Sequence, residues 1–152
     1  MTFRSIVLAL FAMACGPVQP IGGGGMCTEI GCSDGFDGRF SPEFTEPGAY
    51  EFILEIDGVT STCAYSLPLD DSGSCDGVLQ VVRSGSALPA SEHSLPSFSI
   101  FEVGFAEFTL TVTRDGVEEA SWTESPEWEV LQPNGPECGP TCEVAGVTLT
   151  RP

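Results

Sequence analysis

Seven cysteines, one histidine and 22 acidic side chains are the residues of this 152-residue chain best able to do chemistry. The cysteines are Cys15, Cys27, Cys32, Cys63, Cys75, Cys138 and Cys142. Set as thiolates, Cys27, Cys32, Cys138 and Cys142 could hold zinc, because two closely spaced pairs offer a tetrahedral sulfur shell. Set in an oxidising compartment, the same residues pair as disulfides. His93 is the sole imidazole and lies in a Ser/Pro-rich stretch, residues 84–97. No Gly-x-Ser-x-Gly elbow accompanies it, so the sequence predicts a solvated side chain rather than a general base. Two carboxylates at a suitable separation would hydrolyse glycosides. With so many acids some pair always satisfies that spacing, and a carboxylate-based secreted hydrolase stays an alternative class. Asp70, Asp71 and Asp76 crowd one Ser/Gly-rich turn and are weak calcium candidates. Read as an EF-hand loop, that turn departs from the pattern at Cys75, where a glycine belongs, and at Val81, where a bidentate Glu belongs. A second acidic turn runs from Asp34 to Gly38. Ordinary Asp/Ser/Gly turn chemistry explains both stretches without an ion. No cofactor motif is present; Gly22 to Gly25 lacks the Lys and the strand–helix setting of a phosphate loop.

The charge balance restricts partners. All five cationic side chains are Arg, against 22 acids and no Lys. Such a chain repels nucleic acid and anionic headgroups, whose recognition is built on contacts from Lys and Arg to phosphate. It attracts basic protein partners and divalent cations, largely without specificity.

Alternation with a period of two is the dominant pattern, and no apolar stripe of helical period free of Gly and Pro spans ten residues of the chain after its first fourteen. Tyr50 to Ile56 alternates, Asp57-Gly58 follows, and Val59 to Leu67 alternates again. Asp-Gly between such runs predicts a two-residue type I′ hairpin turn, which fixes the register. Ile56 then faces Val59, Leu54 faces Ser61, Phe52 faces Cys63 and Tyr50 faces Tyr65, all on an apolar face. Asp-Gly-Val recurs 58 residues later at Asp115, between Phe108–Arg114 and a run reaching Trp122. Two readings stay open: an internal pseudo-repeat with one hairpin in each sheet, or the chance likeness of any two hairpins with Asp-Gly turns. Further strand candidates are Phe36–Phe40, Val78–Val82, Phe98–Phe105, Trp128–Leu131 and Val144–Leu149. The expectation is an all-β, antiparallel, immunoglobulin-like sandwich of eight or nine short strands, stapled by disulfides. The Cys–Trp–Cys core of true immunoglobulin domains is missing.

Cys63 sits on the second hairpin strand and Cys75 opens the strand after the next loop, so a Cys63–Cys75 bridge is predicted. Bridges between the two remaining clusters, with Cys32–Cys142 and Cys27–Cys138 favoured, would close loops of over a hundred residues. In the chain-entropy model each is worth about 4–5 kcal/mol. Local Cys27–Cys32 and Cys138–Cys142 bridges are the alternative.

Residues 1–14 carry one positive charge and then an apolar run, Ser5 to Ala14, too short to span a bilayer, for which about 20 residues are needed. Length and flanks fit a secretory signal. Ala12-Met13-Ala14-Cys15 resembles the lipobox of bacterial lipoproteins, with Ala12 where Leu is commoner. The resemblance implies a lipid thioether on Cys15, an N-terminal membrane anchor and, with Gly16 after the cysteine, outer-membrane sorting. The same residues suit an ordinary signal peptidase, which would leave the product periplasmic or secreted. Acylation of Cys15 also resolves the odd cysteine count, leaving six to pair. Residues 15–25 then read as a lipidated Cys and a Gly/Pro tether, and 26–152 as one domain. The remainder resembles small bacterial lipoproteins with paired-cysteine β-domains, which implies no activity. The resulting expectation is a non-catalytic, membrane-tethered envelope binding or structural module. Calcium-dependent adhesion is the other alternative.

Overall fold

Phe36, Gly38 and Phe40 alternate with Asp37, Arg39 and Ser41, and this alternation makes the first strand, β1 (Gly35–Phe44). The first three are buried, whereas Asp37, Arg39 and Ser41 face solvent. In the computed structural model, which describes residues 30–135 and 138–152, nine further strands follow. They are β2 (Gly48–Ile56), β3 (Val59–Leu67), β4 (Ser74–Cys75), β5 (Leu79–Ser84), β6 (Ser94–Ile100), β7 (Phe108–Arg114), β8 (Val117–Glu124), β9 (Glu129–Leu131) and β10 (Cys142–Thr150). A single 3-10 turn, Ala90–Glu92, is the only helical element among the described residues. The expected signal (1–14), Cys15, the tether and Cys27 lie outside the described residues.

The strands form two five-stranded sheets, ordered β5-β6-β1-β10-β9 and β4-β3-β2-β7-β8. Ten strands therefore replace the expected eight or nine. The addition is β4, two residues long and too short to carry an alternation signal, whereas β9 lies within the expected Trp128–Leu131 strand. The expected wholly antiparallel arrangement is also corrected: β1 and β10 pair in parallel, from Gly35 opposite Val144 to Ser41 opposite Thr150. These two strands lie at opposite ends of the described chain, so no tight turn dictates their relative direction.

The β2–β3 hairpin adopts the register its turn demands, from Ile56 opposite Val59 to Tyr50 opposite Tyr65. Asp57 and Gly58 take φ of 49° and 77°, as a type I′ turn requires, and Asp115 and Gly116 take 52° and 79°. Both hairpins lie in one sheet, with β2 beside β7 and Leu54 opposite Leu110. This overturns the reading of one hairpin per sheet. Strand β6 begins at Ser94, ahead of the expected Phe98, and stops at Ile100. Phe98 and Ile100 fill the inner positions opposite Gly38 and Phe36, while Phe101 leaves the sheet.

The core lies between the sheets. Phe40 meets Phe52 with ring centroids 5.8 Å apart, Phe36 meets Phe108 at 5.1 Å and Phe98 meets Phe108 at 6.2 Å. Each fully buried Phe contributes about 1.5–3 kcal/mol through removal from water. Gly38 sits at the centre of this seam because the Phe98 ring occupies the space that a β-carbon would need. The disulfide Cys32–Cys142 ties the segment before β1 to the first residue of β10, with Cα atoms 6.1 Å apart. Cys63 and Cys75 form a second bridge, across the β3–β4 pair.

Replacing Gly38 with Ala should therefore destabilise the domain by roughly 1–3 kcal/mol, the usual cost of overpacking. A lowered urea midpoint with an unchanged slope is the expected reading.

Candidate functional site

On β1 the residues that alternate with the core phenylalanines form the middle of an open sheet face. Arg39 lies directly between Ser97 of β6 and Thr148 of β10. Beyond Arg39 the pairing with β6 slips before resuming at Phe44. Beside the slip lies a groove of about 380 Å³, lined by Arg39, Phe40, Ser41, Glu43, Pro96, Ser97 and Thr148. That volume lies within the ordinary range of small-molecule sites, about 300–1,000 Å³.

The state of Arg39 sets it apart from the other described arginines. Arg114 pairs with Glu119. Arg151 reaches Glu46 and Glu119 at 3.3 Å each and stacks 4.1 Å from the centroid of the Phe44 ring. Arg83 lies over the Tyr65 ring at 5.5 Å. Among the described residues Arg39 has no carboxylate at ion-pair distance and no ring beneath it. Asp37, two residues before it on β1, instead accepts a 2.6 Å hydrogen bond from the Ser99 hydroxyl. A guanidinium left without an anion in so acidic a chain is suited to accept one from outside. The alternation around Phe36 and Phe40 shows that Arg39 faces outward. That it lacks a partner depends on β6 and β10, which the local sequence does not reveal.

His93 corrects the expectation of a solvated side chain. It is buried. Its Nδ1 accepts a 2.9 Å hydrogen bond from the Leu69 backbone N–H, so the proton resides on Nε2, which donates to the Leu88 carbonyl at 3.0 Å. Nδ1 thus joins the 68–73 loop to the 85–93 loop and Nε2 braces the latter internally, so neither nitrogen is available as a base. The expected long loop is correspondingly shorter, since Ser94 to Ser97 belong to β6.

The calcium candidates are not brought together. Asp70 accepts hydrogen bonds from the hydroxyl and backbone N–H of Ser72, which hold its carboxyl below the usual range. Asp71 is exposed. Asp76 spends one oxygen on the Thr62 N–H at 2.6 Å and the other on the Thr62 hydroxyl at 3.2 Å. Among the described residues no group of three or more His, Cys, Asp or Glu is arranged to hold a metal. Of the four cysteines weighed for zinc, Cys32 and Cys142 are bonded to each other and Cys138 is also disulfide-bonded. A second groove, of about 260 Å³, gathers Glu55, Asp57 and Glu107 at the end of the other sheet, with no cation or base beside them in its lining.

No family model matches the chain, and neither a curated protein nor a solved structure matches it. No helix among the described residues is long and apolar enough to cross a membrane. The disulfides fit maturation in an oxidising compartment.

The clamp around Arg151 gives a pH test of the fold. Tyr50 is buried and donates a 2.8 Å hydrogen bond to the Glu46 carbonyl. Burial first, and the Glu46 carboxylate second, push its hydroxyl up to about 12. A raised folded value favours the neutral phenol in the native state. Its contribution is therefore complete below the unfolded value of about 10 and disappears as pH rises from there toward 12. The chain has no Lys and one other tyrosine, Tyr65, so Tyr65→Phe serves as the control. Urea midpoints should fall across that window, and Tyr50→Phe should flatten the fall.

Proposed function

We propose that this chain is an exported, non-catalytic binding module, held at the bacterial envelope by a lipid on Cys15. The observation that carries the binding reading is the Arg39 groove: a site of ligand size that holds an uncommitted cation and three hydroxyls. The engaged nitrogens of His93 argue in the same direction, because the sole imidazole serves to join two loops. The disulfides support export, and the lipobox-like Ala12-Met13-Ala14-Cys15 supports a tether. We take the two facing sheets, which share one aromatic core, as an immunoglobulin-like sandwich in architecture. That architecture by itself implies no ligand. A Gly-rich segment, residues 22–25, would let the domain stand clear of the membrane surface.

Intact mass spectrometry of protein purified from its native envelope, with and without reduction, tests the proposal. The expected mass begins at Cys15, carries acyl chains and gains the hydrogens of three opened disulfides, six of the seven cysteines being paired. A mass without acyl groups would overturn the tether and leave Cys15 as a thiol or an intermolecular bridge.

A further inference from the structure

We propose that the Arg39 groove recognises an acidic sugar, a single carboxylate carried on an otherwise neutral polyhydroxylated ring. The inference rests on the reading of the chain as a binding module and names its ligand class. The guanidinium provides a planar fork of donors matched to a carboxylate. Ser97 and Thr148 flank it on neighbouring strands, and Ser41 lies two residues along β1. Hydroxyls both donate and accept, as do those of a sugar, so the three side chains can pair with ring hydroxyls in either sense. Pro96 adds an apolar ring to the lining, a surface for the C–H face of a sugar.

Charge selects the monoanion. The groove brings one cation, and Glu43 lines the same wall. The chain carries a formal charge of −17. For a phosphate dianion or a sulfated polymer the attraction and the repulsion grow together, but one planar guanidinium fork satisfies one carboxylate and leaves the further anionic oxygens facing Glu43 and the acidic surface. Screening at physiological salt acts over about 8 Å and damps the remote charges for every ligand, which leaves the contacts at Arg39 and Glu43 to decide. Glu43 can in turn accept a hydrogen bond from a neutral ring hydroxyl.

Ligand-observed saturation-transfer NMR on the purified full chain tests the assignment, with D-glucuronate, D-glucose, acetate and inorganic phosphate as probes. Glucuronate should show transfer and a saturable affinity, and each of the other three should bind more weakly. Arg39→Gln should weaken glucuronate by roughly tenfold or more, as loss of a charge-assisted hydrogen bond implies. Arg39 is exposed, so this change should leave the circular dichroism spectrum intact. Thr148→Val, which keeps the charge, should weaken glucuronate while leaving acetate unchanged. The assignment is overturned if glucuronate binds Arg39→Gln as tightly as the parent, if acetate matches glucuronate, or if no transfer appears up to roughly 10 mM, beyond which affinity is too small for recognition. The mass measurement keeps the two failures apart. A missing lipid with glucuronate binding intact would sink the tether alone, and glucuronate bound elsewhere would sink the groove while sparing the module.

Discussion

The parity of β1 is the constraint on which the rest depends. Its inner residues, Phe36, Gly38 and Phe40, meet rings from both sheets, and Gly38 leaves the space that Phe98 fills. A shift of one residue would send both phenylalanines into solvent and drive Asp37 and Arg39 into the core. The cost of burying two charges, added to the loss of two buried rings, makes that alternative inaccessible. The same choice that builds the core therefore projects Arg39 onto the open face. Site and core are two sides of one strand.

The neighbours of β1 determine what that face can do. Parallel pairing with β10 sets Thr148 beside Arg39, and antiparallel pairing with β6 sets Ser97 on its other side. Both are small, so the guanidinium stands above its surroundings. The Cys32–Cys142 bridge holds one end of the parallel pair. At the other end the Arg151 backbone N–H donates to the Ser41 carbonyl at 2.9 Å, and its side chain binds Glu46 and Glu119. β1 and β10 are thus tied together at both ends, which favours a preorganised site. Glu119 also takes Arg114, so the carboxylates near the C-terminal clamp are satisfied internally and Arg39 is not drawn to them.

Much of the fold was legible because its signals are local. Asp57-Gly58 and Asp115-Gly116 require positive φ, and the alternation on either side leaves little freedom in register. The aromatic inner faces followed from the same alternation. What escaped depends on distant partners. β4 is a strand only because β3 pairs with it. The adjacency of the two hairpins comes from the β2–β7 ladder, with no signal in either hairpin alone. His93 lies amid Ser and Pro, a composition typical of a solvated loop. Its burial arises from Leu69, in a different loop, and from Leu88, whose carbonyl the 3-10 turn sets within reach. The outward direction of Arg39 could be read from β1, but the absence of an anion beside it is a property of three strands together.

A crystal structure of the protein grown with D-glucuronate tests the central claim most directly. The account predicts the carboxylate on the Arg39 guanidinium and the ring over Pro96, between the Ser97 and Thr148 hydroxyls. A structure in which Arg39 folds onto Glu43 as an ion pair, with the sugar absent from the groove, would contradict it.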